Sequence, residues 1–335
     1  MIAAIKTENS GEIVLESKPI PQLQEGEVLI KIAYCGVCGS DLHAYNHSKG
    51  YEFVRKPIIL GHEISGTVVE CGDPSLLHLK GERVILESML YCDQCDNCSN
   101  GRKSICENNK VIGLHLDGGM AEFVKTKAKY IKRIPTELSL EIAATSEPMA
   151  IAVHAVNKME DLNERHVVLV QGPGIIGFFV GLLCAEKGAK VYLSGLEKDY
   201  DERLSKCEQF NMIPHIAESG LLQEKVDVLF ECSGSNAAIQ SGFQQLKKGG
   251  RAVFVALYEE LTTLFLTDLV RNEWPIITSY GCDPKDYDSA LSILEKYSDS
   301  LKDILSYYSI EDVNQAFQDG LNQKVLKPIL KIAID

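Results

Sequence analysis

The sequence predicts an α/β protein of two domains, one built on a doubly wound parallel sheet and the other rich in short strands. Three observations carry that expectation. The middle of the chain holds a β-α-β pattern around a glycine-rich turn. The first 150 residues alternate short apolar runs with glycines and two clusters of metal-ligating residue types. The length, 335 residues with 45% hydrophobic, is enough for two separate cores.

The β-α-β pattern is read in "RHVVLVQGPGIIGFFVGLLCAEKGAKVYLSG". A β-branched apolar run, a glycine turn, a helix-length apolar stretch and a second apolar run follow one another. Gly172, Gly174 and Gly177 form G-x-G-x-x-G where the strand ends and the helix begins, with Ile175 and Ile176 opening the helix. This is where a dinucleotide pyrophosphate would meet free backbone N–H groups, as in a Rossmann fold. Further strands are expected in "VDVLFECSG" and "RAVFVALYE", with helix-length segments between strands. The bland alternative is that the glycines serve only helix packing.

NAD-selective folds of this kind usually carry an acidic residue at the end of the second strand. Here that strand, "KVYLSG", ends at Gly195, and Glu197, Asp199 and Asp201 come later beside Lys198 and Arg203. The glycine leaves room for a 2'-phosphate, whereas the carboxylates repel one. NAD and NADP both stay open, with the balance leaning to NAD.

In "YCDQCDNCSNGRKSIC", Cys92, Cys95, Cys98 and Cys106 follow C-x2-C-x2-C-x7-C on a polar segment expected to be loop. Four thiolates complete a tetrahedral shell with no open position, so the expectation is a structural zinc. An iron–sulfur cluster is the competitor, but its usual proline after the last cysteine is replaced by Glu107.

Composition excludes several classes. The balance of 34 basic against 47 acidic residues gives a net charge of −13, which disfavours nucleic acid and anionic membranes as partners. The N-terminus has no apolar h-region and no window approaches a membrane span, so a cytoplasmic protein is expected. Eleven cysteines in such a chain argue for reduced thiols and metal rather than disulfides.

The stretch "CGVCGSDLHAYNHSKGYEFVRKPIILGHEISG" brings cysteine, histidine and glutamate together, compatible with metal but not decisive alone. The ordered set "CGVCGSDLH", "GHEISG", the four-cysteine loop, "GGMAEF", "EPMA" and "GPGIIG" resembles the zinc-dependent medium-chain dehydrogenases, the family of alcohol, sorbitol and threonine dehydrogenases. The resemblance runs over essentially the whole chain.

It implies a GroES-like, partly open β-barrel catalytic domain over residues 1–150 with 286–335 returning to it. Residues 151–285 would form the Rossmann coenzyme domain, with the active cleft between the two. By matched position Cys38 and His62 would be catalytic zinc ligands. Where the alcohol dehydrogenases place a further cysteine this chain has Glu147, as in the sorbitol-like branch, so Glu63 and Glu147 are the carboxylate candidates for the zinc or its immediate surroundings. Ser40 and His43 match the positions that carry the alcohol proton to solvent, with a hydroxyl that donates and accepts and an imidazole that titrates near neutrality.

The implied activity is reversible oxidation of a secondary alcohol, a polyol or sugar-like substrate, by NAD or NADP. An NADP-dependent carbonyl reductase, a threonine-type amino-alcohol dehydrogenase and a non-catalytic protein keeping the fold are the alternatives. Relatives pair coenzyme domains through the segment matching "FLTDLVRNEWPIITSYG", which implies a homodimer or homotetramer.

Overall fold

The computed structural model describes residues 1–332. The chain forms two compact units, Met1–Ala150 with the return from Cys282 onward, and Ile151–Gly281.

The first unit is organised by the strand Glu27–Gly36, in which Val28, Ile30 and Ile32 are fully buried, the two-residue period of a strand with one face on the core. Along one edge it pairs antiparallel with Glu63–Cys71. Along the other it meets Phe123–Lys127 with its first half and Lys327–Lys331 with its last residues. Arg83–Leu86 and Ile131–Arg133 extend the sheet on one side, and Leu305–Ser309 on the other. A second sheet, Ile13–Ser17, Ile2–Lys6 and Ile58–Ile59, shares the core of Ala3, Ile5, Ile30, Ile64 and Met120. Two small sheets around one core make a partly closed barrel.

This topology sets three strand ends side by side. Gly36 pairs with Glu63 and with Ile329. The end of one strand, the start of the next and the start of the C-terminal one therefore deliver Cys38, His62, Glu63 and Lys327 to one place, although the chain between Glu63 and Lys327 runs through the whole second unit.

The second unit is a six-stranded parallel sheet in the order Met212–Ile216, Lys190–Gly195, Val167–Gln171, Val226–Glu231, Leu246–Phe254, Ile276–Thr278. Numbered by sequence this is 3-2-1-4-5-6, the doubly wound order whose direction reverses beside the first strand. The helix Ile175–Glu186 follows that strand, and Phe178, Phe179, Val180 and Leu182 are buried along it.

After Gly195 the chain makes a series of 3₁₀ and π turns over residues 197–210. One local expectation is corrected. The four-cysteine segment is not loop throughout, since it contains short helical turns at Asp96–Ser99 and Lys103–Ile105.

Candidate metal and coenzyme sites

Cys38 stands immediately before the helix Gly39–Asn46, where Asp41 folds back to accept the Cys38 backbone N–H at 2.9 Å. The pattern C-x-x-D is thus a helix start that fixes the cysteine. The same Asp41, fully buried, accepts the Gly61 N–H at 3.1 Å and places Oδ1 3.6 Å from His62 Nδ1. A carboxylate behind one ring nitrogen orients the other as a ligand. Burial works against protonation of His62, but the Asp41 and Cys38 charges outweigh it and hold its pKa well above the ordinary histidine value. Burial raises the Asp41 pKa, opposed by His62.

The donor atoms of Cys38, His62 and Glu63 all lie within 4.8 Å of one another. Glu63 is fully buried, and Oε1 has no hydrogen-bond partner. Its other oxygen is ion-paired with Lys327, itself 1% exposed, whose Nζ also donates to the Val37 carbonyl at 2.8 Å. Burial lowers the Lys327 pKa, but Glu63 and Cys38 more than compensate and keep the ammonium charged. Only glycine fits at position 36, where a Cβ would lie 2.0 Å from Glu63 Oε2. One thiol, one imidazole and one carboxylate, gathered in a buried place with an orphaned oxygen, fit a zinc ion with three protein ligands.

Glu147, in the first turn of Ser146–Val156, is buried but not among the three gathered donors. Its Oε1 accepts from Ser88 Oγ at 3.0 Å and its Oε2 has no hydrogen-bond partner. Burial pushes its pKa up to about 7, against the pull of His62. Ser40 Oγ is 3.4 Å from His62 Nε2. His43 faces Ser48 Oγ through Nδ1 at 3.2 Å and stacks on Tyr51 with ring centres 5.1 Å apart. Ser40 and His43 lie three apart on one helix, hence on one face.

Cys92 and Cys98 place their sulfurs 4.0 Å apart, and Cys95 and Cys106 3.9 Å apart. A disulfide needs about 2 Å. A tetrahedron of Zn–S bonds of 2.3 Å has edges of about 3.8 Å, a spacing these sulfurs fit. Backbone N–H groups of Gln94 and Cys95 point at Cys92 Sγ, each at 3.4 Å, and lower its pKa, while burial raises that of Cys98.

In the second unit the glycine triplet divides its tasks as a dinucleotide turn does. Gly172 has φ of +96°, a Cβ on Gly174 would meet nothing within 4 Å, and one on Gly177 would lie 2.0 Å from the Gly172 carbonyl. No side chain caps the helix that Ile175 and Ile176 open, and its first turn holds no acid. Those N–H groups suit an anionic diphosphate.

At Gly195 a Cβ would sit 2.5 Å from Pro173 Cγ, so the glycine serves contact with the turn. Asp199 accepts the Leu196 N–H at 2.9 Å and pairs with Arg203 at 3.8 Å, while Glu197 is exposed and its N–H meets Glu218 at 3.1 Å.

The family model of the alcohol dehydrogenase GroES-like domain matches residues 24–136, and that of the zinc-binding dehydrogenases matches 176–296. A sorbitol dehydrogenase of Halalkalibacterium halodurans is 30% identical over 98% of this chain and 99% of its own length. The chain belongs to the zinc-dependent medium-chain dehydrogenases. A D-arabitol-phosphate dehydrogenase of Enterococcus avium is 29% identical over 93% of this chain and 92% of its own. The solved structure of 2R,3R-butanediol dehydrogenase from Bacillus subtilis superposes with a TM-score of 0.88, at 25% identity, over 99% of this chain and 100% of that one. The partly closed barrel is accordingly the GroES-like domain of this family, and the parallel sheet its Rossmann domain. The expected polyol branch also holds, since sorbitol and arabitol-phosphate dehydrogenases are among the relatives.

Sequence reading had not singled out Asp41, Lys327 or Ser88. Asp41 was legible in principle, lying inside the first motif. For Lys327 and Ser88 the sequence holds no local signal, because their partners come from distant segments.

Proposed function

We propose that this chain reversibly oxidises a secondary alcohol of a polyol or sugar-like substrate to the ketone, with a catalytic zinc held by Cys38, His62 and Glu63, a structural zinc held by Cys92, Cys95, Cys98 and Cys106, and NAD as hydride acceptor. The observation that supports it most is the buried convergence of Cys38, His62 and Glu63 beside a second carboxylate, Glu147, with no second cysteine in the set.

Zinc bound there supplies Lewis acidity toward an alcohol or carbonyl oxygen, and the nicotinamide supplies the hydride acceptor. The chain's own residues position and move protons. Asp41 holds the His62 ring. Lys327 fixes Glu63 and keeps its charge compensated. Glu147 Oε2 is an acceptor with no protein partner, suited to a substrate hydroxyl. Ser40 takes the alcohol proton and His43, half-buried on the same helix face, passes it to solvent.

NAD rather than NADP is supported by the carboxylates Glu197, Asp199 and Glu218 after the second strand, with Arg203 already held by Asp199. The unit Ile151–Gly281 exposes Leu261, Phe265 and Val270 at 96, 68 and 76%, and Ile276–Thr278 ends its sheet with one edge unpaired among the described residues. Both features support a homodimer, alone or within a tetramer, joined through this segment. No helix among the described residues is long and apolar enough to cross a membrane. The eleven cysteines are all unpaired, in keeping with a reducing cytoplasm.

The test is the absorbance of reduced nicotinamide across a panel of polyols and secondary alcohols, with NAD and NADP supplied separately. Polyol-dependent reduction of NAD is the expected result. Turnover with no alcohol or carbonyl, in protein carrying its metal, would reduce the chain to a non-catalytic keeper of the fold.

A further inference from the structure

Glu147 is tethered by a hydrogen-bond chain through Ser88 to Tyr287. The Ser88 backbone N–H, which can only donate, meets Tyr287 Oη at 3.1 Å. Tyr287 Oη lies 3.2 Å from Ser88 Oγ, and Ser88 Oγ lies 3.0 Å from Glu147 Oε1, which as a carboxylate only accepts. With Glu147 ionised, the serine donates to the glutamate and the tyrosine hydroxyl to the serine. All three residues are buried, at 1% exposure for Ser88, 2% for Tyr287 and 6% for Glu147. The tether engages one carboxylate oxygen and leaves the other with no hydrogen-bond partner. Glu147 lies outside the set formed by Cys38, His62 and Glu63.

We infer that Ser88 and Tyr287 are positioning residues that keep Glu147 out of the zinc's ligand set, so that the three gathered ligands leave one exchangeable position and Glu147 faces substrate instead. The inference rests on the zinc site proposed above. Its physical basis is the cost of a buried carboxylate without partners. Freed from Ser88, Glu147 would find its compensation at the nearest cation, and a fourth protein ligand would close the site as four cysteines close the structural one. A merely structural role for the tether predicts the opposite, a looser site.

The experiment measures release of metal to a chelator, followed in cobalt-substituted protein by its visible absorption, for wild type, Ser88→Ala, Ser88→Thr and Tyr287→Phe. Cys38→Ser identifies the phase that belongs to the proposed catalytic site. Ser88→Ala should slow that phase about tenfold, shift its cobalt spectrum and lower kcat. Ser88→Thr, which keeps the hydroxyl, should restore all three, and Tyr287→Phe should move them the same way by a smaller factor. Release from Ser88→Ala that is unchanged or faster overturns the inference. If Cys38→Ser removes no phase, the zinc assignment itself fails, which distinguishes the two failures. Should Ser88→Ala not fold, the Tyr287→Phe result decides by the same sign.

Discussion

Replacing Lys327 by Met tests how the barrel tolerates the carboxylate at its centre. Lys327 and Glu63 are 1 and 0% exposed, and the ammonium is the only cation paired with Glu63 among the described residues. Removing one partner of a buried pair costs about 3–5 kcal/mol. The orphaned carboxylate can escape by taking a proton, at about 1.4 kcal/mol for each pH unit above the ordinary glutamate value near 4.3. The charge-related loss in the metal-free variant is then capped at about 3.7 kcal/mol near pH 7 and about 1 kcal/mol near pH 5. Zinc offers Glu63 another cation, so saturating zinc should shrink the loss near pH 7. Denaturant unfolding at the two pH values, with zinc and with chelator, measures all of this. A loss of equal size in all four conditions would refute the reasoning, because it would mean that the lysine contributes packing and not charge compensation.

Three further outcomes follow from the geometry. Asp41→Asn should weaken zinc binding at the Cys38 site by about 10–100-fold, read by chelator competition, since the charge that orients His62 is lost. Cys95→Ser should release one zinc equivalent and lower the thermal midpoint while leaving Cys38-site metal in place, checked by metal analysis and calorimetry. Glu87, 2% exposed, has its pKa raised by burial from 4.5 to about 7, with Lys132 3.9 Å away opposing. The folded state therefore binds this proton more tightly, so the stabilisation is complete below about pH 4.5 and is lost as pH rises through 7, by about 3 kcal/mol in all. Glu87→Gln should flatten the stability–pH curve across that window and unfold later than wild type above pH 8 in denaturant titrations.

What was legible in the sequence is what local physics dictates. The G-x-G-x-x-G turn needs glycines for its φ and its close approaches, and the four cysteines need only short-range spacing. Cys38, His62 and Glu63 were reached through the family resemblance of their ordered motifs, since the stretch by itself was compatible with metal but not decisive. The strand Met212–Ile216 escaped because Pro214 interrupts it, which a sheet edge tolerates. The contact of Gly195 with Pro173 was not legible, because the two are adjacent only in space. Lys327 and Ser88 escaped for the same reason: Ser88 and Tyr287 are 199 residues apart, and no period or motif announces such a pair.

The most direct measurement is zinc per chain on purified wild type and on Cys38→Ser, paired with polyol-dependent reduction of NAD. The two donor sets predict about two zincs in wild type with turnover, and about one in Cys38→Ser with a folded protein and no turnover. Wild type holding about one zinc, unchanged by Cys38→Ser, or a Cys38→Ser protein that still oxidises polyols, would contradict the account.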